Sequence, residues 1–136
     1  MGRLMSLIER FDDAMREAGV DYVIVDGIAL FAWGRIRATR DVDVIIERKG
    51  FERKLERVVL ALEKRDMLVN VDDLKECLRR GGHFTIFDRK SIFYIDAKFP
   101  SSKLDMVCLK RKKVVRLNKV KLNVCSPECM IVSKLR

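Results

Sequence analysis

The chain has 136 residues, 49% of them hydrophobic and 36% charged, with 29 Lys and Arg against 20 Asp and Glu for a formal net charge of +9. That balance suits one globular domain with a proper core and excludes a disordered chain. No apolar run approaches the roughly 20 residues that a helical bilayer span requires, and Glu9 comes too early for a signal-peptide apolar core, so a cytoplasmic protein with no membrane partner is expected. The basic excess favours polyanionic partners: nucleic acid, or a nucleotide with its phosphates. A thermophilic source would produce a similar richness in Lys, Arg and Glu.

Leu4, Leu7, Ile8, Phe11, Ala14, Met15 and Ala18 recur at helical spacing before Gly19. They predict an opening helix that lays its apolar stripe on a sheet and stops at the glycine. Asp21 to Val25 is a short apolar strand, broken by Asp26-Gly27, and Ile28 to Trp33 reads as a short helix ended by Gly34. Strand, glycine turn and helix N-terminus in succession leave the N–H groups around Gly27 and Ile28 open at a positive dipole end, a natural seat for phosphate. Phe31 and Trp33 read as core packing. Arg35 to Arg40 is a basic loop, in which Arg37 and Arg40 either neutralise phosphates or pair with the acids that follow.

Those acids lie in Thr39-Arg40-Asp41-Val42-Asp43-Val44-Ile45-Ile46, a strand by its β-branched residues and its alternation. Alternation puts Asp41 and Asp43 on one face and Val42 and Val44 on the other. Two adjacent carboxylates repel unless a cation or a proton offsets them. A divalent ion such as Mg²⁺, bridging to a phosphate, satisfies both; solvation or pairing with Arg37 and Arg40 is the alternative.

Further on, Phe51, Leu55, Val58, Val59 and Leu62 predict one helix opening at Gly50. Met67 to Val69 is extended, and Val71 to Arg80 is a helix capped by Asn70 or Asp72 and ended by Gly81-Gly82. His83 to Phe87 and Ser91 to Phe99 read as strands about Asp88-Arg89-Lys90. Val114 to Leu117 and Val120 to Val124 form a hairpin at Asn118-Lys119, and Lys110 to Lys113 is a solvated turn. Ser126-Pro127-Glu128 starts a final helix. The order implies an α/β or α+β fold with a mixed sheet and helices on one side. Cys77, Cys108, Cys125 and Cys129 read as buried thiols, since no second pair matches Cys125 and Cys129 to make a zinc site. His83, the single histidine, reads as a surface or strand-end residue.

Asp96 is the third acid of interest. In Tyr94-Ile95-Asp96-Ala97-Lys98 it shares a face with Tyr94 and Lys98, and a carboxylate in so apolar a strand points to a site or a solvent edge. If this strand lies beside the Asp41 strand, three carboxylates converge. Three acids can hold two metal ions, with the Gly27 turn holding outer phosphates and the basic loop compensating charge.

The stretch Val25-Asp26-Gly27 through Asp41-Val42-Asp43-Val44 resembles the signature of nucleotidyltransferases of the DNA polymerase beta superfamily. Within it, the minimal nucleotidyltransferases and the related abortive-infection toxin type are most similar. The pattern is a hydrophobic residue, Gly, then Gly or Ser, an acid-hydrophobic-acid triplet a dozen or so residues on, and later a single strand acid. Gly27, Asp41, Asp43 and Asp96 take those places. Trp33-Gly34, Arg37, Thr39 and Arg40 also fit, and Ser126 through Leu135 resembles the family's next helix. The resemblance implies a nucleotidyltransferase-like domain over 1–125, with 126–136 the start of a C-terminal helix cut short relative to relatives. It implies an NTP substrate, Mg²⁺ or Mn²⁺ held by Asp41, Asp43 and Asp96, and phosphate contacts from Gly27, Ile28, Arg37, Arg40 and Lys98. The acceptor is then a hydroxyl of a protein, an RNA or a small molecule. At the family's first Gly stands Asp26, which sets a second reading beside the enzyme: an inactive, antitoxin-like binding module with a partner chain of a toxin–antitoxin pair. A basic nucleic-acid-binding domain is a third.

Overall fold

A computed structural model describes residues 2–26, 41–117 and 120–126. The expected short helix of Ile28 to Trp33, the basic loop to Arg40, the Asn118-Lys119 turn and the final helix after Ser126 lie outside these residues. Among the described residues, seven strands form one mixed sheet: β1 (Tyr22–Asp26), β2 (Asp41–Ile46), β3 (Met67–Val69), β4 (His83–Asp88), β5 (Tyr94–Lys98), β6 (Lys113–Leu117) and β7 (Val120–Val124), in the spatial order β3-β4-β5-β2-β1-β7-β6. β2 is central. It pairs antiparallel with β1 and parallel with β5, and β1 pairs parallel with β7.

Helix α1 (Gly2–Ala18) follows the apolar stripe and ends before Gly19, whose φ of 70° is the left-handed conformation that a glycine adopts freely. Leu7, Ile8, Phe11, Ala14 and Met15 are all buried. Phe11 meets Tyr22 edge to face at 5.1 Å, which seats α1 on the sheet face that also carries Ile24, Val42, Val44 and Ile46. The Tyr22 hydroxyl donates to buried Asp12 at 2.6 Å, and Arg16 Nε donates to the other oxygen of Asp12 at 2.7 Å. Burial, reinforced by the neighbouring carboxylate, pushes the Tyr22 phenol far above its ordinary range.

The single helix expected from Gly50 to Leu62 is two helices, α2 (Arg48–Arg53) and α3 (Leu55–Glu63), broken at Lys54. The apolar spacing runs unbroken through the junction, so the cause is tertiary. α2 sends Phe51 into a cluster with Phe84 and Phe99, at centroid distances of 5.8 and 5.1 Å. α3 turns Val58, Ala61 and Leu62 into the core and packs on α1 and β3. Lys54 caps both helices, and its Nζ donates to the Gly19 carbonyl at 3.3 Å.

Helix α4 (Val71–Arg80) starts at Asn70, whose side chain accepts from Asp73 N at 3.0 Å, and stops at Gly81 with φ of 85°. Helix α5 (Lys103–Lys110) was not anticipated. Its start is nonetheless written in Ser101-Ser102-Lys103-Leu104-Asp105: Ser102 Oγ accepts from Asp105 N at 3.1 Å, and Asp105 Oδ2 accepts from Ser101 N at 2.9 Å. Because Lys98 Nζ pairs with Asp105 at 3.0 Å, α5 lies over the opposite sheet face, at its Ile45–Lys98 end. Helices therefore flank both faces, which corrects the one-sided arrangement. The basic run is likewise more than a solvated turn: Lys110 ends α5 and Lys112 Nζ bonds Asp21 at 2.6 Å. Cys77, Cys108 and Cys125 are buried, while Cys129 lies outside the described residues. Among the described residues no helix is long and apolar enough to cross a membrane.

Asp88, at the end of β4, ties the sheet to α1 by accepting from Arg10 Nη2 at 3.0 Å. Burial alone would raise its carboxyl, but hydrogen bonds from Ser91 Oγ, Lys90 N and Arg10 outweigh burial and hold it below the usual carboxylate range. A depressed folded value contributes stability that is complete above the unfolded carboxyl's ordinary value and is lost as pH falls through the folded one. Unfolding in urea should therefore show an acid-induced loss of stability below about pH 4 that Asp88→Asn reduces; an unchanged pH slope in the variant would refute the assignment.

Candidate metal centre

β2 and β5 run parallel in a register that sets Asp41 beside Tyr94, Asp43 beside Asp96 and Ile45 beside Lys98. Alternation carries Val42, Val44, Ile95 and Ala97 into the α1 side of the sheet, where all four are buried. Asp41, Asp43 and Asp96 take the other face, beyond the end that α5 covers. Each is half-buried, and one carboxylate oxygen from each lies within 4.8 Å of the others. The convergence expected of these three acids is thus present. A β-bulge between Ile24 and Asp26 brings the Asp26 backbone into register with Asp43.

The donor set decides what such a cluster can hold. Three carboxylates, with no thiolate and no ligating imidazole among them, are hard oxygen donors suited to Mg²⁺ or Mn²⁺ and poorly suited to zinc or copper. Half-burial leaves room for ligands that a substrate would bring.

Of the residues expected on phosphate, Gly27, Ile28, Arg37 and Arg40 lie outside the described residues. Lys98 is on the predicted face, two positions from Asp96, with its Nζ on Asp105. Burial alone would raise the Asp105 carboxyl; hydrogen bonds from Ser101 N, Lys98 and the Ser101 hydroxyl hold it below the usual range instead. The ion pair fixes α5 across the face and gives Lys98 a structural task.

His83, expected as a surface or strand-end residue, is also a neighbour of the triad. It does open β4 and is exposed, yet its Nδ1 is 3.1 Å from Asp96 Oδ1. The signal was the hairpin: with Thr85 opposite Asp96 and His83 opposite Lys98, His83 is the diagonal neighbour of Asp96 on the same face.

No protein-family model and no curated protein matches the chain. Solved structures do match it, among them one from Thermotoga maritima described as a "putative nucleotidyltransferase", with 12% identity, a TM-score of 0.64, and coverage of 99% of this chain and 84% of that one. At so low an identity the likeness speaks for the fold alone. This chain has a nucleotidyltransferase-like fold: among the described residues, a seven-stranded mixed sheet flanked by helices, with a half-buried acidic triad on one face.

Proposed function

We propose that the protein is a metal-dependent nucleotidyltransferase that moves a nucleoside monophosphate from an NTP to an acceptor hydroxyl. The observation that carries this reading is the convergence of Asp41, Asp43 and Asp96 on adjacent strands of this fold. In the transfer, the hydroxyl oxygen forms a bond to the α-phosphorus, the bond from that phosphorus to the bridging oxygen breaks, and pyrophosphate leaves. Asp41 and Asp43 would hold two Mg²⁺ or Mn²⁺ ions between them. Asp96 would complete the set on the acceptor side and draw the hydroxyl proton. When bound, the ions supply charge stabilisation at the phosphoryl group and acidify the acceptor hydroxyl. Backbone N–H groups at Gly27 and Ile28, with the charges of Arg37, Arg40 and Lys98, would hold the phosphates. The acceptor is a protein, an RNA or a small molecule.

Incubation with α-labelled ATP, CTP, GTP and UTP, Mg²⁺ or Mn²⁺ and each acceptor class tests the reading. Metal-dependent label on an acceptor, abolished by EDTA, is expected; no transfer from any of the four would overturn it. A second reading follows from Asp26, whose backbone stands next to Asp43 where the resembled family has glycine. An added carboxylate there would oppose a triphosphate, leaving an antitoxin-like binding module of a toxin–antitoxin pair. That version co-purifies with a partner chain and neither transfers label nor binds NTP with Mg²⁺ in calorimetry; Mg²⁺-dependent NTP binding, or the absence of any co-purifying partner, would count against it.

A further inference from the structure

The hairpin of β4 and β5 places one more side chain on the triad than the acids themselves. His83 Nδ1 and Asp96 Oδ1 are 3.1 Å apart. An ionised carboxylate can only accept, so the proton between them resides on Nδ1 and His83 is the donor. The one other basic side chain in register here is Lys98, directly opposite His83, and its Nζ is held by Asp105. Among the described residues, His83 is therefore the side chain that donates to Asp96, and the metal-ligating capacity of the carboxylate is not exhausted by it, since the group has about four lone-pair sites.

We propose that His83 is a positioning residue for the metal centre: its Nδ1–H fixes the rotamer of Asp96 and so presents that carboxylate to the acceptor-side cation. The inference rests on the metal-binding reading of the triad. The physical reason is preorganisation. Asp96 is half-buried, its side chain 32% exposed, and packing that encloses a carboxylate only in part leaves freedom about its torsions. A hydrogen bond from the neighbouring strand removes that freedom before the cation arrives, and outer partners of this kind typically change metal affinity by about 10- to 100-fold. His83 does this from a rigid base, because β4 and β5 pair from His83–Lys98 to Phe87–Tyr94 without a break in register.

The test is Mn²⁺ binding to the intact protein, measured by calorimetry and by the loss of the free-ion electron paramagnetic resonance signal. His83→Phe keeps a ring and removes the donor; His83→Asn keeps a donor where Nδ1 was. Because the side chain is 59% exposed, both variants should melt with the wild type. The expected result is a Kd for Mn²⁺ raised about 10- to 100-fold in His83→Phe and returned to near the wild-type value in His83→Asn. Where turnover is measurable, kcat should fall in His83→Phe with the KM for NTP little changed. Wild-type affinity in His83→Phe overturns the proposal, as does a His83→Asn variant as weak as His83→Phe. Asp43→Asn separates this from failure of the underlying reading. If the wild type takes up no Mn²⁺, or Asp43→Asn takes up as much, the metal reading falls and this inference with it. If Asp43→Asn loses the ion and His83→Phe does not, this inference falls alone.

Discussion

Replacing Asp43 with asparagine should lower nucleotidyl transfer by about a thousandfold or more, the equivalent of roughly 4 kcal/mol at the transition state. Asp43 is the centre of the triad. Asp96 stands beside it on β5 and Asp41 lies two positions before it on the same face of β2, so in register it adjoins both remaining members of the triad. Asparagine keeps the shape and discards the charge that a divalent cation needs. Mutual repulsion among carboxylates whose oxygens lie within 4.8 Å also falls. The variant should therefore unfold at the same urea concentration as the wild type, or at a higher one. Label transfer from the preferred NTP, read beside a urea titration, checks both halves. Retention of more than a tenth of the activity would remove Asp43 from the chemistry, and a large loss of stability would mean that the acids serve the fold.

The second large effect is on stability. Phe51→Ala should cost about 3–5 kcal/mol, a substantial part of the 5–15 kcal/mol that typically separates folded from unfolded domains. Phe51 is fully buried at the end of the short helix α2 and touches two rings that also meet each other, Phe84 and Phe99, at 5.5 Å. Truncation leaves a void lined by groups anchored in β4, in the segment after β5, and in α2, so there is little freedom to close it. The urea midpoint should fall with an unchanged slope; a shift below about 1 kcal/mol would mean that α2 moves to fill the space. Because Phe84 and Phe99 flank the strands that carry His83 and Asp96, the destabilised protein should also bind Mn²⁺ less tightly.

Much of this arrangement was legible beforehand because it depends on short periods. Alternation put Asp41, Asp43 and Asp96 on the polar faces of their strands, and the glycines at 19 and 81 stopped α1 and α4 where expected. Where long-range packing decides, local pattern was silent. The kink at Lys54 interrupts a perfect helical stripe because Phe51 and Val58 serve different neighbours. Helix α5 escaped because its eight residues carry no clean apolar stripe, with Met106 and Val107 exposed beside buried Cys108 and Leu109, although its Ser102-to-Asp105 cap is a local feature. The His83–Asp96 contact requires the hairpin register, which neither residue encodes by itself. That Asp43 and Asp96 are neighbours is a pairing of strands far apart in the chain; the residues alone could pose it only as a condition, which the resemblance to a family then favoured.

The parallel pairing of β1 with β7 has a consequence for the route by which the molecule assembles. Ile24 aligns with Val124, and Cys125 N donates to the Ile24 carbonyl at 2.8 Å, a closure across some hundred residues. The β1–β2 pairing and the β4–β5 hairpin enclose much shorter loops and carry a smaller entropic cost. Synthesised from the N-terminus, β1 can find β2 and rest on α1 long before β7 emerges from the ribosome. Until then its outer edge presents unpaired N–H and C=O groups flanked by Val23 and Ile24, a template for any other strand nearby. The arrival of β7 retires that edge, so the pairing that closes the longest loop also guards the sheet against self-association.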